Sequence, residues 1–274
     1  GGDGGCGSEL TEGSPGWLYA QTIQALKARG VLVVASAGNG DAAGMGMAGP
    51  TRPANCPGVL AVTGLHAKGF KARYSNLLTT NVAGVATFSG EDAGGTAETD
   101  HVITTKHSGE TDLASGTYGY SGVSGTSFAA PMVTGVAAMM LAVNPNLSVD
   151  QLILGIQGSA HPHIAMSDGT PDELPSLPNC DLSSIETRAQ CYCTTATCGA
   201  GILNAEGALN FAVTTEGNLG PVSSDPITFF VPERARAPVV TPTPPGGGGG
   251  ALDPATLAFI SMLLGLTLLA GGKR

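Results

Sequence analysis

The chain has 274 residues, of which 42% are hydrophobic and 12% are charged, and its formal net charge at pH 7 is -9. This length is ample for one sizeable core, and 42 glycines suit a tightly packed α/β protein better than a disordered chain. The acidic balance and the lack of a Lys/Arg run exclude nucleic acid as a partner, because binding to its backbone depends on clustered cations.

The first predicted helix covers residues 17–29, where apolar residues recur at near-helical spacing until Gly30 ends the run. Three continuously apolar runs are predicted to be short strands: residues 31–37, 59–63 and 82–86. Continuous rather than alternating apolarity is typical of strands covered on both faces, as in a parallel sheet flanked by helices.

The following part of the chain is predicted to be an irregular excursion and then two helices. Residues 89–119 are rich in Gly, Thr, Ser and Asp and form an excursion, with an extended piece at 102–105. A helix follows over residues 127–143, and Ser148 is the expected N-cap of a further short helix. This alternation of strands and helices predicts an α/β fold, a three-layer αβα domain with a mostly parallel sheet.

The C-terminal part of the chain differs in composition from the rest. A partial globular domain is predicted for residues 1–212, and an extended Pro/Gly-rich linker for 213–250. Residues 251–274 contain an apolar run of about 16 residues, which spans roughly 24 Å against a bilayer core of ~30 Å. We expect a hydrophobic transmembrane or sorting helix whose basic end favours the cytoplasm. A core helix, the alternative, would need a partner surface across the flexible linker.

The cysteines are expected to form disulfides in an oxidising compartment, because no CxxC pair suggests zinc or a redox site. They are Cys6, Cys56, Cys180, Cys191, Cys193 and Cys198. The simplest partition pairs Cys6 with Cys56 and the other four among themselves, although spacing alone does not determine the pairing. The Cys-x-Cys of Cys191 and Cys193 is the one spacing that a metal could use, and no metal site is predicted.

Two segments carry complementary chemistry. The stretch "SGVSGTSFAAPMVTG" presents Ser127 at the start of a predicted helix, and "VLVVASAGNG" places Asn39 just after a strand, where ligands of parallel sheets bind. Acyl transfer needs both parts, since a weak alcohol nucleophile must be presented and the tetrahedral oxyanion must be stabilised by preset donors. A simple helix N-cap is the alternative interpretation of Ser127.

The residues around Ser127 fit a helix start near a substrate. Gly125 permits close approach of a substrate, and Pro131 is expected in the first helical turn, where its missing N–H costs little.

The motif "GTSFAAPMVTG" closely resembles the nucleophile motif of the subtilisin-like serine peptidases, and "ASAGN" resembles their oxyanion-asparagine motif. The stretches "RPANCPGVLAVTG", "RYSN" and "CGAGILNAEGAL" are similar to parts of the secreted, disulfide-bonded bacterial branch. This resemblance covers about residues 1–211 and implies a subtilisin-like fold and a serine endopeptidase that acts on polypeptides. It makes Ser127 the nucleophile, with Asn39 and the Ser127 backbone N–H as oxyanion donors.

The resemblance also implies a set of substrate-binding residues: Gly1, Gly2, Ser36, Ala37, Gly38, Thr51, Gly125 and Thr126. Gly1 and Gly2 would end a substrate-binding strand. Residues 36–38 would form one wall of the pocket for the residue before the cut, with Thr51 near its floor. Calcium is implied by the resemblance alone. The residues themselves do not predict a calcium site, because no acidic loop has recognisable ligand spacing. No other cofactor is expected.

The chain lacks the family motifs that carry the aspartate and the histidine of the catalytic triad. The Asp-Ser/Thr-Gly and His-Gly-Thr segments that precede the asparagine strand in the family do not occur here. The histidines all follow that strand: His66, His101, His107, His161 and His163. Asp168, in "SDGTPD", follows the serine and is interpreted as a loop residue. We therefore expect an N-terminally truncated fragment, nearly inactive alone, whose acid and base lie upstream of Gly1.

The tail resembles the GlyGly-CTERM sorting signal of Gram-negative surface and secreted proteins, with glycines at 246–250, an apolar helix and a basic end. In that family an intramembrane rhomboid-type peptidase handles the signal. The resemblance implies a secreted or cell-surface protein that is anchored at least transiently in the membrane.

Two other functions compete with the peptidase hypothesis. In an α/β-hydrolase esterase, Asp150 would be the triad acid, and His161 or His163 would be the base. The nucleophile motif of that fold has Gly two residues after the serine, where this chain has Ala129. A catalytically inactive, surface-binding module is the second alternative, because the chain shows no base for Ser127.

Overall fold

Three parallel strands form the central sheet of the computed structural model, which describes residues 4–7, 9–91, 100–109, 116–165, 174–184 and 189–215. The strands are β1 (Val33–Ser36), β2 (Val59–Leu65) and β3 (Gly84–Phe88), hydrogen-bonded in that order. Val33 pairs with Val59 and Ala61 pairs with Gly84. Every residue of β2 is buried, as its continuous apolarity predicts.

Helices cover both faces of this sheet. They are α1 (Pro15–Ala28), α2 (Thr126–Val143), α3 (Val149–Gly158) and α4 (Ala205–Thr214). Ile23 of α1 belongs to a core cluster with Val59 and Ala61. Helices α2, α3 and α4 pack in a second cluster that includes Leu60 and Val62. Because successive residues of a strand point to opposite faces, the two clusters lie on opposite sides of β2, which confirms the three-layer α/β prediction.

A separate antiparallel hairpin is formed by β4 (Val102–His107) and β5 (Tyr118–Val123). The extended piece predicted at 102–105 is confirmed. Strand β5 is not predicted by the sequence pattern, because its side chains are not buried: Tyr118 and Tyr120 are 80% and 81% exposed. A hairpin that contributes little to the core carries a weak periodicity signal.

The boundaries of several elements differ from the predictions for local reasons. Helix α1 starts earlier, at Pro15, because proline is favoured in the first turn. Helix α2 starts at Thr126, so Pro131 lies inside the helix. The expectation of a first-turn proline is therefore wrong. Because proline has no backbone N–H, Pro131 cannot donate the usual helical hydrogen bond to the carbonyl of Ser127, four residues earlier.

The short helices show how capping sets their ends. Ser148 caps α3 as predicted, in a reciprocal capping box with Gln151. Helix α4 is absent from the sequence predictions, although Asn204 is a typical N-cap and its side chain accepts a hydrogen bond from Gly207. It ends at Thr214, two residues beyond the predicted domain boundary at 212.

The disulfides follow the simplest partition. Cys6 bonds to Cys56, Cys180 to Cys191, and Cys193 to Cys198, so no cysteine of the described chain is free. The sulfur atoms of Cys180, Cys193 and Cys198 lie within 4.8 Å of one another. They belong to two adjacent disulfides, so these sulfurs are not the thiolates that a metal requires.

Some predictions lie outside the described residues: Gly1, Gly2, Asp168, the linker beyond residue 215 and the C-terminal hydrophobic helix. Among the residues that the structure describes, α2 is the one helix long and apolar enough to cross a membrane. Its residues Ala129, Val133 and Met140 are fully buried, so it is the core helix of this domain.

Candidate active site

Asn39 lies in the loop that leaves the carboxyl end of β1. Ala37 continues the strand pairing through its N–H, which donates to the Val62 carbonyl at 2.9 Å. Gly38 then adopts φ +113°, and a Cβ there would lie 2.5 Å from Nδ2 of Asn76. This position therefore needs glycine for both its backbone angle and its close approach.

Asn76 braces this loop, a role that the sequence motifs alone do not predict. Its Nδ2 donates to the Ala37 carbonyl at 3.1 Å, and its backbone N–H donates to the Gly38 carbonyl at 3.0 Å. Its Oδ1 accepts from the Gly40 and Met47 N–H groups, both at 2.9 Å. The side chain is fully buried and satisfied, so it acts as a rigid bracket behind Asn39.

Ser127 is the second residue of α2 and is exposed. The residue at the N-cap is Gly125, at φ +144°, so the alternative of Ser127 as an N-cap is wrong. The Gly125 N–H donates to the hydroxyl of Tyr74 and to the carbonyl of Ser89, both at 2.9 Å. Among the described residues the Ser127 hydroxyl has no hydrogen-bond partner.

Thr126 joins the two segments. Oδ1 of Asn39 accepts a hydrogen bond from the Thr126 N–H at 2.9 Å and another from its hydroxyl at 2.7 Å. Two donors on one oxygen determine which way the amide faces. Nδ2 of Asn39 has no partner in the described part of the chain, so it is a free donor beside the start of α2.

Ser127 and Asn39 border one cavity of about 330 Å³. The other described residues that line it are Ser36, Gly38, Gly40, Thr51, Arg52, Pro53 and Thr126. Ala37 is fully buried behind this wall and is not part of the lining. Gly125 lines a second cavity of about 340 Å³, which also reaches Asn39. Apart from Ala37, the described residues predicted to bind or attack the substrate thus line two cavities that share Asn39.

The segment that carries Tyr74 and Asn76 is held by a buried lysine. Nζ of Lys71 donates to the carbonyls of Ala72, Arg73 and Ser75 at 2.9, 3.2 and 2.8 Å. Burial lowers the pKa of Lys71 to about 7, against the attraction of Glu91. The tyrosine and the asparagine that brace the site both belong to the stretch "RYSN", which resembles part of the secreted branch.

None of the five histidines, all of which lie in the described part of the chain, hydrogen-bonds to Ser127. His66 stacks on Phe70 and its Nε2 lies 3.5 Å from Oδ1 of Asp100, in a separate cavity of about 400 Å³. Burial lowers the pKa of His66 and also that of His163, whose Nε2 contacts the Gly199 carbonyl at 3.0 Å. These contacts of the two histidines are with Phe70, Asp100 and Gly199, and not with Ser127.

The esterase alternative fails on geometry. Asp150 forms an exposed ion pair with Lys27 at 2.5 Å, on helices α3 and α1. His161 is part of an isolated bridge in which its backbone pairs with Ile202. Neither is hydrogen-bonded to Ser127 among the described residues, so no hydrolase triad forms from them.

Similarity to known proteins identifies the family of this chain. Residues 5–173 match the model of the subtilase family, Peptidase_S8. The chain belongs to the subtilase family. An extracellular protease of Xanthomonas campestris is 30% identical over 201 residues, which cover 73% of this chain and 27% of that protein.

Solved subtilase-like folds also align with the chain. A structure of a protease from Pseudoalteromonas arctica is 26% identical, with a TM-score of 0.52, and the match covers 77% of this chain and 49% of that one. This subtilase chain thus spans about a quarter of its Xanthomonas relative and about half of the Pseudoalteromonas chain. The subtilisin-like fold predicted from the motifs is confirmed.

Proposed function

We propose that this chain supplies the nucleophile and the oxyanion site of a secreted serine endopeptidase. Ser127 attacks the peptide carbonyl, and Nδ2 of Asn39 and the Ser127 backbone N–H stabilise the oxyanion. The observation that carries the proposal is the pair of hydrogen bonds from Thr126 to Oδ1 of Asn39. They leave Nδ2 as the free end of the amide, on the same cavity as Ser127.

The start of α2 favours the developing charge. Ser127 is within the first turn, where N–H groups have no helical acceptor and the helix dipole is positive. A donor there stabilises a tetrahedral oxyanion more than the neutral carbonyl, so it lowers the barrier to attack. The Oγ–carbon bond forms as the Oγ proton leaves to a base, and the amine departs with a proton. Water then hydrolyses the acyl-enzyme.

The base and its orienting acid belong, in this proposal, to parts of the parent protein outside this chain. The motifs that would carry them do not occur in its 274 residues, and none of the described histidines hydrogen-bonds to Ser127. Without a triad partner, turnover falls by a factor on the order of 10⁴ to 10⁶ in related enzymes. We therefore expect the 274-residue chain by itself to be nearly inactive.

A fluorophosphonate probe tests the nucleophile directly. Full-length protein carrying this sequence should be labelled, and Ser127→Ala should abolish the labelling. Ser124→Ala is the matched control, because it removes a hydroxyl three residues away and should leave labelling in place. Labelling that persists in Ser127→Ala, or no labelling of the folded full-length protein, would contradict the proposal.

A catalytically inactive binding module is the second candidate. It is favoured by one observation, that no described histidine hydrogen-bonds to Ser127. The fluorophosphonate experiment distinguishes the two functions. If the folded full-length protein binds peptides but is not labelled at Ser127, it is a binding module rather than a peptidase.

We further propose that the protein acts outside the cell. Three disulfides support this, since such bonds persist in oxidising compartments, and the Xanthomonas relative is named an extracellular protease. The tail at 251–274 would serve as a transient membrane anchor, removed by a rhomboid-type peptidase near the glycines at 246–250. An intact mass of the mature protein that still includes Lys273 would overturn the processing step.

A further inference from the structure

The cavity beside Ser127 carries a single positive charge among the described residues that line it. That charge is Arg52, and the rest of the described lining is neutral: Ser36, Gly38, Asn39, Gly40, Thr51, Pro53, Thr126 and Ser127. An arginine side chain is a cation with five N–H donors in a planar fork. The described lining therefore includes one cation.

Arg52 has no acidic partner among the described residues. No carboxylate of the described chain lies within ion-pair distance of it. Its Nε is buried without a hydrogen-bond acceptor, whereas its two Nη nitrogens are not among the buried unpaired atoms of the described residues. Lys27, in contrast, is paired with Asp150 on the surface. Arg52 lines the cavity, and its two Nη nitrogens, which have no partner among the described residues, are the donors that an anionic ligand would meet.

The guanidinium lies against the segment at Gly4. A Cβ placed on Gly4 would lie 3.2 Å from Nη2 of Arg52, so the guanidinium lies directly beside the backbone of Gly4. Gly4 is itself tied to the Arg52 loop, because Asn55 donates to its carbonyl at 3.0 Å. The nearby disulfide between Cys6 and Cys56 joins the same two segments. A braced guanidinium loses less conformational freedom when it binds a carboxylate.

The size of the cavity suits a side chain. Its volume of about 330 Å³ is at the low end of the ~300–1,000 Å³ that is typical of ligand pockets. A guanidinium binds a carboxylate through two parallel, charge-assisted hydrogen bonds. An amide of the same shape cannot make that pair and lacks the charge.

We propose that Arg52 makes this cavity selective for an acidic side chain, aspartate or glutamate, in the residue on the acyl side of the scissile bond. The inference rests on the proposed peptidase function, which makes Ser127 the point of attack. The acyl-side residue is one bond from the attacked carbonyl, so its side chain must enter a space that borders Ser127. This cavity borders Ser127, whereas the second cavity reaches Asn39 but not Ser127.

The test compares matched peptides that differ only in one residue, Glu, Gln or Leu, on full-length protein. We expect kcat/KM for cleavage after Glu to exceed that after Gln by about tenfold or more. Arg52→Gln should bring the ratio close to one, and Arg52→Lys should keep part of it. Arg29→Gln is the matched control, because Arg29 is an exposed cation that lines none of the three cavities described. It should leave the Glu/Gln ratio unchanged.

A binding measurement keeps the inference testable without turnover. Fluorescent product-type peptides that end in Glu or Gln are titrated into the Ser127→Ala protein, and the ratio of their dissociation constants is compared with that for Ser127→Ala/Arg52→Gln. A ratio of about ten that falls to one supports the assignment of Arg52, even if the probe experiment shows no reactive serine. Equal affinities for both peptides, an unchanged ratio in the Arg52 variant, or cleavage sites with the acidic residue on the amine side would each overturn it.

Discussion

The two ends of the Asn39 amide contact different parts of the molecule. Oδ1 holds the start of α2 through Thr126, and Nδ2 is the free donor at the cavity. A change to alanine removes the acceptor and the proposed oxyanion donor at once, so it cannot separate positioning of α2 from the proposed stabilisation of an oxyanion. The aspartate variant does separate them, because a carboxylate still accepts from Thr126 but has no N–H to offer.

Asn39→Asp should therefore reduce kcat severely while leaving the fold intact. Loss of one oxyanion donor costs about 10²- to 10³-fold in a subtilisin, and a negative charge next to the oxyanion should make the loss at least as large. The measurement is kcat and KM on full-length protein, with the urea unfolding midpoint as the check on folding. If Asn39→Asp retained near-normal kcat, the assignment of Nδ2 as oxyanion donor would be wrong.

At the scale of elements, the site depends on the turn that ends β1. Gly38 has φ +113°, and a Cβ there would lie 2.5 Å from Nδ2 of Asn76 and 3.0 Å from Oγ1 of Thr51. Gly30 also has positive φ, +76°, but a Cβ there would have no atom within 4 Å. A comparison of alanine variants at Gly30 and Gly38 therefore separates the effect of backbone strain, which both have, from the effect of a collision with Asn76, which only Gly38 has.

Gly30→Ala should cost about 1 kcal/mol in the free energy of unfolding, from backbone strain alone, with no effect on probe labelling. Gly38→Ala should cost more and should also slow labelling of Ser127, because Asn76 must move and the loop of Asn39 moves with it. Urea unfolding and the rate of fluorophosphonate labelling are the two measurements. Equal effects of the two variants on both would show that the bracket does not position the site.

At the scale of the whole molecule, the disulfides close loops of very different lengths. Cys6 and Cys56 are 50 residues apart, whereas Cys193 and Cys198 are 5 apart. A cross-link restricts the unfolded chain more when the loop it closes is longer. The Cys6–Cys56 bond also ties the segment at Gly4 to the loop of Arg52, so it supports the cavity as well as the fold.

Replacing Cys6 and Cys56 with alanine should lower the free energy of unfolding by about 4 kcal/mol, and replacing Cys193 and Cys198 by about 2 kcal/mol. The comparison uses urea unfolding of the two double variants, with mass spectrometry to confirm that the remaining disulfides have formed. An equal or reversed order would mean that native contacts, rather than loop closure, dominate the effect.

Much of this architecture can be predicted from local sequence. The continuous apolarity of β2 and the Ser148 cap of α3 are local signals, and both are confirmed. Strand β5 escapes prediction because its exposed residues do not alternate with a core. Pro131 lies deeper in α2 than predicted, because Gly125 caps the helix and the first turn begins at Thr126. Local patterns predict that an element exists better than they predict where it ends.

The sequence by itself determined the chemical parts: a serine at a helix start, an asparagine after a strand, and their order along the chain. Only the tertiary structure decided how these parts meet. Thr126 holds an asparagine 87 residues away, and Asn76 braces a loop 39 residues before it. The register of parallel strands and the packing of α2 on the sheet create these contacts, and no local periodicity encodes them. The same folding leaves Arg52 in a cavity without an acid among the described residues, because pairing of charges depends on which distant segments the fold brings together.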